Sequence, residues 1–320
     1  MQDVWVLPAM TVEFYGDSDI GRVRRVNEDS FRLIPERDTV VVCDGMGGHA
    51  AGEIASHRAV ETVTAYLMRG REVAPAPKID GEVPSIPAEA EDLVWAVRLA
   101  NRRVFQTAQD QKQTRGMGTT LVAVRFGADR AVICHVGDSR AYLLRDGQFE
   151  QLTTDHSLVA ELLAQKEITP EQARTFPDRN IITRALGTRP VVAVDMTVLP
   201  TQGDDWFLLC SDGLCGLVDD DEMQAIVMRH PDDPQAALTA LIETANRAGG
   251  HDNITVAIAR VRDGKTPGTS PRQSLTIPET DDDTAAVEQK IIEALFRPGL
   301  SNSDLPDDDT DKIPIRPENR

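Results

Sequence analysis

Four segments with the apolar pattern of buried strands each adjoin an aspartate in a polar or glycine-rich turn. The first is residues 39–43, which end at Asp44 and are followed by the loop Gly45-Met46-Gly47-Gly48-His49. A carboxylate at the mouth of a buried strand is costly to desolvate unless a positive group lies against it. A single Asp-Gly pair is also a common hairpin turn. The repetition of the pattern in one chain therefore favours a shared site over four unrelated turns.

The other strand-edge acids follow the same design. Asp138 comes after the apolar segment 130–136, Asp212 comes after 206–210, and Asp252 precedes the β-rich segment 254–259. Glu28 and Asp29 add two acids near the start. Like charges a few ångströms apart cannot all stay ionised unless cations neutralise them. Oxygen ligands without clustered Cys or His residues favour Mg²⁺ or Mn²⁺ over structural zinc.

Six motifs resemble, in the same order, the motif series of the metal-dependent type 2C serine/threonine phosphatases. They are Arg24-Arg25-Val26-Asn27-Glu28-Asp29, Asp44-Gly45-Met46-Gly47-Gly48-His49, Gly137-Asp138-Ser139-Arg140, Arg184-Ala185-Leu186-Gly187, Ser211-Asp212-Gly213 and Gly250-His251-Asp252-Asn253. One of them would be weak evidence, but six in order over about residues 10–261 are specific. The Asp-Gly-Met-Gly-Gly-His form is similar to the bacterial branch of the family.

The resemblance implies an α+β fold, a four-layer α/β/β/α sandwich of two mostly antiparallel sheets flanked by helices. We expect residues 1–262 to form this type 2C-like phosphatase domain. Four prolines and a weak hydrophobic pattern predict an exposed insertion at 71–88. The irregular polar stretch 155–180 lies between two motifs, and we interpret it as a flap over the site.

Apolar periodicity predicts the main helices and strands of the domain. Residues at helical spacing predict helices over 50–68 and 89–108. Residues 181–186 have the pattern of a strand. Residues 263–320 form an acidic tail that we expect to be largely disordered. Within the tail, the apolar residues of 284–296 have the spacing of a short amphipathic helix. This pattern is equally compatible with a solvated helix and with a segment that docks on another surface.

The resemblance also implies a role for each acidic motif. In the family pattern, the position of Asp44 bridges two Mn²⁺ or Mg²⁺ ions and the carbonyl of Gly45 binds the second. Asp212 and Asp252 bind the first ion, and Asp29 with Glu28 holds the water molecules on the ions. Asp138 with Asp212 supplies a third, weaker site. The implied reaction is hydrolysis of phosphoserine and phosphothreonine in proteins, by a hydroxide between the two ions that attacks phosphorus without a phosphoenzyme.

Two further residues are implied to act in catalysis. Arg24, four residues before Glu28, matches the phosphate-binding arginine of the family, and a guanidinium can grip two oxygens at once. The animal branch has a histidine directly after Asp-Gly, proposed there as the general acid, but this chain has Met46. His49, three residues further on, and a water molecule are both candidates for protonating the leaving group.

Composition limits the partners and the location. Lys and Arg number 34 and Asp and Glu 52, for a net charge of −18, so neither nucleic acid nor an anionic membrane is expected as a partner. Cys43, Cys134, Cys210 and Cys215 lack metal-ligand spacing, which predicts buried thiols in a cytoplasmic protein. We see no signal peptide at the start. We expect a monomer whose substrates are phosphoproteins modified by a cognate Ser/Thr kinase in bacterial signalling.

Three other functions are compatible with parts of the sequence. Gly45-Met46-Gly47-Gly48-His49-Ala50 fits a dinucleotide fingerprint, but the region about 20 residues on, where that fold needs a second strand ending in an acid, reads as helix and then prolines. A serine hydrolase at Ser139 or Ser211 lacks the Gly-x-Ser-x-Gly context. A catalytically inactive interaction module of the same fold would typically have lost one of the metal positions, and all are present.

Overall fold

The structure, a computed structural model, describes residues 10–47, 51–73, 86–110, 112–178, 180–263, 271–279 and 282–297. The strands in these residues are β1 (Thr11–Asp19), β2 (Asp29–Ile34), β3 (Thr39–Met46), β4 (Gly118–Thr119), β5 (Leu121–Phe126), β6 (Arg130–Val136), β7 (Arg140–Arg145), β8 (Gln148–Gln151), β9 (Val194–Pro200), β10 (Trp206–Cys210), β11 (Ile254–Asp263) and β12 (Gln273–Ile277). The helices are α1 (Ala51–Val73), α2 (Ala88–Asp110), α3 (Leu158–Ala164), α4 (Pro170–Arg174), α5 (Asp212–Cys215), α6 (Asp220–Arg229), α7 (Pro234–Arg247) and α8 (Asp282–Leu295).

The strands form two sheets. The five-stranded sheet has the order β1-β11-β10-β7-β8, and the seven-stranded sheet has the order β12-β9-β6-β5-β3-β2, with β4 beside β3. All paired strands are antiparallel. The acidic motifs fall at the starts and ends of β2, β3, β6, β10 and β11, and the sheets therefore bring distant parts of the sequence together.

The central strands β3, β5, β6 and β10 are apolar on both faces because both of their faces are covered. In β3, Val40 and Val42 pack between the sheets against Phe207 and Leu209 of β10. The alternate residues Val41 and Cys43 face α1 and α2. On the far side, α6 and α7 cover the five-stranded sheet. The four-layer α/β/β/α sandwich predicted from the sequence is confirmed.

The two long helices extend beyond their predicted bounds. α1 continues to Val73, five residues past the predicted end, and Pro75 follows two residues later, which disfavours further helix. The first residues of the predicted insertion at 71–88 are therefore helical, and Ala88 begins α2. The middle of the insertion, residues 74–85, lies outside the described residues.

The segment 155–180 contains two short helices that the sequence pattern did not indicate. Ser157 caps α3 by accepting a hydrogen bond from the Ala160 amide, and Thr169 and Gln172 form a capping box at α4. Each helix has fewer than eight residues, too few for a periodic signal. The predicted strand at 181–186 is wrong: only isolated bridges from Ile182 to Ser157 and from Leu186 to Thr119 form there.

The prediction of a largely disordered tail is wrong for residues 273–277, whereas the short helix predicted at 284–296 is present as α8 (Asp282–Leu295). β12 pairs with β9 at the edge of the seven-stranded sheet, where Ile277 is buried. α8 packs on α1 and α2 through Ile291, Ile292 and Leu295. Residues 298–320 lie outside the described part of the chain. None of the helices within the described ranges is both long and apolar enough to cross a membrane.

Candidate metal centre

Two carboxylates meet where β2 begins and β3 ends. Asp29 lies directly opposite Asp44 in the antiparallel register of the two strands. The amide of Gly45 donates to the carbonyl oxygen of Glu28 at 3.1 Å, which continues the pairing by one residue. A Cβ at Gly45 would overlap the carbonyl oxygens of Gly52 and Glu28. Only glycine fits this position, where three backbone segments approach each other closely.

The backbone of Asp44 is fixed by two threonines. Its amide donates to Thr120 Oγ1 at 2.9 Å, and its carbonyl oxygen accepts from the Thr120 amide at 2.8 Å and from Thr119 Oγ1 at 2.9 Å. These bonds hold the end of β3 against the start of β5. The Asp44 carboxylate therefore starts from a rigid backbone position.

Asp29 is buried and held by two hydroxyl groups. Its Oδ2 accepts hydrogen bonds from Ser211 Oγ at 2.8 Å and Thr255 Oγ1 at 2.7 Å. Burial raises the pKa of Asp29 to about 7, the nearby charges of Asp212 and Asp252 add to the rise, and the two hydrogen bonds oppose it. The two hydrogen bonds therefore orient the Asp29 carboxylate, but they do not fully compensate its negative charge.

Asp212 and Asp252 reach the same place from the five-stranded sheet. Asp212 is the first residue of α5, directly after β10, and Asp252 immediately precedes Asn253 and β11. A Cβ at Gly213 would overlap the Asn253 carbonyl oxygen, so the two turns are in close contact. The Asn253 side chain accepts from the Glu28 amide at 2.8 Å, which ties these turns to the start of β2.

The carboxylates raise one another's pKa. Burial raises the pKa of Asp44 well above its ordinary value, and Asp29, Asp212, Asp138 and Asp252 each add to the rise. Burial and then the charge of Asp252 raise the pKa of Asp212, while the charges of Arg24 and Arg140 lower it. These mutual effects place the five carboxylates in one cluster.

Asp138 completes the cluster from the turn between β6 and β7. It is buried, and its Oδ1 has no hydrogen-bond partner among the residues that the structure describes. Burial, followed by the charge of Asp212, raises its pKa to about 7. A buried oxygen without a partner is unusual, because each such group costs about 1–3 kcal/mol of folding free energy.

The donor set fits hard divalent cations. It consists of carboxylates and backbone carbonyls, which are the ligands of Mg²⁺ and Mn²⁺. Glu28 Oε1 and Asp138 Oδ1 are buried without a hydrogen-bond partner in the described ranges, and a cation would use such oxygens. Cations would also relieve the repulsion that raises the pKa of Asp29, Asp44 and Asp212.

Arg24 lies at the rim of the cluster. Its Nη2 donates to Asp252 Oδ2 at 2.7 Å, and this bond, more than any other contact, raises the pKa of the guanidinium. The Asn253 side chain donates to the carbonyl oxygens of Ile20 and Val26 and so fixes both ends of the loop that carries Arg24. The arginine side chain is thus half exposed on a fixed loop.

The structure gathers all of the site residues singled out in the sequence that lie within its described ranges. Those that lie together are Arg24, Glu28, Asp29, Asp44, Gly45, Asp138, Asp212 and Asp252. His49 lies outside the described residues. Sequence reasoning gave no role in the metal site to Ser211, Thr255 and Asn253, which hold Asp29 and the surrounding loops. The sequence did contain one signal for two of these residues: Ser211 and Asn253 lie directly beside the motif aspartates Asp212 and Asp252.

Comparisons with known proteins agree with this geometry. The family described as protein phosphatase 2C matches residues 18–252. Serine/threonine phosphatase stp of Listeria welshimeri is 39% identical over 247 residues, which are 75% of this chain and 92% of that protein. The structure of Stp1 from Staphylococcus aureus has a TM-score of 0.70 and 31% identity, and the match covers 82% of this chain and 100% of that one.

A further solved structure carries metal ions. The catalytic domain of the serine/threonine protein phosphatase PstP, in complex with two manganese ions, has a TM-score of 0.66 and 35% identity, and the match covers 79% of this chain and 100% of that one.

The two-sheet sandwich and its edge of clustered carboxylates define a class of proteins that bind divalent metals where several strand ends converge. Within that class, the matched residues and the identities are decisive. This chain belongs to the protein phosphatase 2C family, which confirms the resemblance and its bacterial branch.

Proposed function

We propose that this protein is a metal-dependent phosphatase that hydrolyses phosphoserine and phosphothreonine in proteins, with Mn²⁺ or Mg²⁺ as cofactor. The observation that carries the proposal is the cluster of five aspartates at the strand ends, with pKa values raised by burial and mutual repulsion. Family membership supports the reaction, and the manganese-bound PstP catalytic domain supports the cofactor.

Each acidic position has a proposed task in holding the ions. Asp44 and the Gly45 carbonyl, with Asp212 and Asp252, hold two ions, and Asp138 with Asp212 holds a third. Glu28 and Asp29 act through water molecules. When bound, such ions lower the pKa of water from about 15.7 toward ~7, which makes hydroxide available at neutral pH.

The protein's own groups prepare this site before any substrate arrives. The two threonines fix the backbone of Asp44, and the hydroxyl groups of Ser211 and Thr255 fix Asp29. A polar site that is already oriented needs little reorganisation during the reaction. Rigid placement of the acids is therefore the main structural contribution of the sandwich.

Arg24 binds the substrate phosphate in this proposal. A phosphate dianion approaching an acidic cluster needs a fixed cation with parallel donors. The guanidinium has five N–H donors, and the Arg24–Asp252 contact uses one of them. Arg24 therefore orients the phosphate at the rim while the acids hold the ions below it.

The substrates are phosphoproteins, and we propose that a cognate Ser/Thr kinase generates them. We also propose a cytoplasmic, monomeric protein. The thiols of Cys43, Cys134 and Cys210 are free and buried, which supports a reducing environment. Copurification of the kinase, cell fractionation and analytical ultracentrifugation test these three points.

Phosphate release tests the proposed function directly. The purified protein with Mn²⁺ should release phosphate from phosphothreonine peptides and from a generic aryl phosphate, and EDTA should abolish this. Asp212→Asn keeps the size of the side chain but removes its charge, so it should lower turnover by about 10²-fold or more, as loss of an electrostatic contact to the reacting groups does. Equal release by wild type and Asp212→Asn would refute the proposal.

A further inference from the structure

The turn that carries Asp138 is held from outside the metal site. Gly137 adopts φ +110°, and a Cβ there would lie 2.6 Å from Thr120 Cβ, so the turn lies closely against β5. Ser139 Oγ is 2.6 Å from Thr120 Oγ1. Contacts with Thr120 therefore fix the turn formed by residues 137–140 on the side that faces the end of β3 and the start of β5.

Two consecutive residues at the start of the 155–180 segment hold the other side. His156 makes two hydrogen bonds to Gly137: its amide donates to the Gly137 carbonyl oxygen at 3.0 Å, and its ring Nδ1 accepts from the Gly137 amide at 3.0 Å. Asp155 accepts from Arg140 Nε at 2.9 Å and Nη2 at 2.7 Å. Asp155 and His156 thus bind the two ends of the turn, Arg140 and Gly137, and Asp138 lies between these ends.

The second ring nitrogen of His156 has its own partner. Because Nδ1 accepts from an amide, it carries no proton, so the neutral ring carries its proton on Nε2. Nε2 then donates to Asp195 Oδ2 at 3.2 Å, and Asp195 Oδ1 accepts from Arg184 Nη1 at 2.7 Å. Asp195 therefore selects the tautomer that leaves Nδ1 free to accept from Gly137.

His135, His156 and Asp195 are close enough to suggest a metal site, but their contacts favour a hydrogen-bonded network. The two imidazole rings are stacked, with centroids 4.6 Å apart and an interplanar angle of 16°. His135 Nε2 lies 2.9 Å from the Thr154 carbonyl oxygen. The Arg184 guanidinium already neutralises Asp195. A second cation at this carboxylate would be repelled by the first.

We propose that His156 is a positioning residue for metal binding, which orients Asp138 through its hydrogen bonds to Gly137 and is itself held in the required tautomer by Asp195. The inference rests on the proposed function, in which Asp138 binds an ion. It assigns a role to a residue that lies outside the carboxylate cluster. It also links the base of the 155–180 segment to the metal centre.

Two variants of similar size separate this role from simple packing. His156→Asn places an amide oxygen near the position of Nδ1 and keeps the bond to Gly137. His156→Gln places its amide near Nε2, so its side chain keeps the bond to Asp195 and loses the bond to Gly137. Both variants retain the main-chain hydrogen bond from the amide of residue 156 to the Gly137 carbonyl oxygen. Mn²⁺ binding is measured by titration calorimetry and by electron paramagnetic resonance, without substrate. Asp138→Asn identifies the binding step that depends on Asp138, and melting curves in EDTA report on folding.

The expected result is a difference between the two variants. His156→Gln should weaken the Asp138-dependent step by about 10- to 100-fold, the usual effect of removing a partner of a metal ligand. His156→Asn should bind Mn²⁺ within about 3-fold of wild type, a change well below that range. Equal affinities in wild type and His156→Gln, or equal losses in both variants, would overturn the inference while leaving the proposed function intact.

A third variant tests the same link without changing the histidine. Asp195→Asn can offer an N–H to His156 Nε2 and so favour the wrong tautomer, with a proton on Nδ1 against the Gly137 amide. Asp195→Asn should therefore weaken the same Asp138-dependent step of Mn²⁺ binding. It also provides the test if His156→Gln is too unstable to study. Unchanged Mn²⁺ binding by Asp195→Asn would overturn the inference. Absence of Mn²⁺ binding by the wild type would overturn the proposed function and this inference together.

Discussion

Asp29 illustrates what a single residue needs in order to work in this site. Its carboxylate is held by Ser211 and Thr255, which are 182 and 226 positions away in the chain. Local sequence marks Asp29 as an acid beside Glu28 and Asn27, and it marks Asp44 as an acid at a strand end. It does not reveal the hydroxyl groups that meet Asp29, because those contacts depend on strand register in the other sheet.

Arg24→Ala should lower kcat/KM on a phosphopeptide by about 10- to 100-fold, because a charged hydrogen bond contributes about 1.5–3 kcal/mol. Steady-state kinetics with saturating Mn²⁺ measure the effect. Arg25→Ala is the matched control, since it removes the same charge from an exposed residue of the same loop. Equal losses in both variants would indicate a general charge effect and contradict the specific role of Arg24.

The C-terminal elements show why some structure is hard to predict from sequence. Residues 273–277 follow a stretch rich in Pro, Ser and Thr, so composition indicates disorder. The strand forms because β9 offers an unpaired edge, and the sequence of β12 alone does not contain that information. The long helices and central strands were predictable because their apolar residues recur at a fixed spacing. α8 was predictable as a helix, but its docking depends on the surface of α1 and α2.

α8 lies beyond the residues 18–252 that match the family, yet it is part of the same hydrophobic core. Ile291→Ala should increase amide hydrogen exchange across α8, because removing a buried isoleucine typically costs about 2–5 kcal/mol. Val287→Ala on the exposed part of the same helix is the control and should leave exchange near the wild-type rate. Equal exchange in both variants would show that α8 is not docked in solution.

At the scale of the whole molecule, the two sheets concentrate negative charge at one edge of an already acidic chain. The chain has a net charge of −18. Several acids of the cluster are buried, and they repel one another in the absence of cations. The same arrangement that binds ions therefore lowers the stability of the metal-free fold.

This repulsion makes the effect of metal removal dependent on pH. The pKa values of Asp29 and Asp138 are raised to about 7, so the metal-free folded state binds these protons more tightly than the unfolded chain does. The contribution of these two groups to its stability is greatest below the ordinary carboxyl pKa and is lost as pH rises toward and through about 7. Mn²⁺ competes with the same protons, so it stabilises more at higher pH.

EDTA should therefore lower Tm more at about pH 8 than at about pH 5.5. Differential scanning calorimetry with matched Mn²⁺ and EDTA samples measures the difference. Asp138→Asn, which removes one of the titrating groups, should reduce the pH dependence. A decrease in Tm of the same size at both pH values would contradict the electrostatic explanation.

Anomalous diffraction at the manganese absorption edge, from crystals of this protein grown with Mn²⁺, tests directly whether the aspartate cluster binds metal ions. Metal binding by this cluster predicts two strong peaks among the carboxylates of Asp44, Asp212 and Asp252, with a weaker peak at Asp138. Peaks located only elsewhere, or no peak at this edge of the sandwich in crystals of active protein, would contradict it.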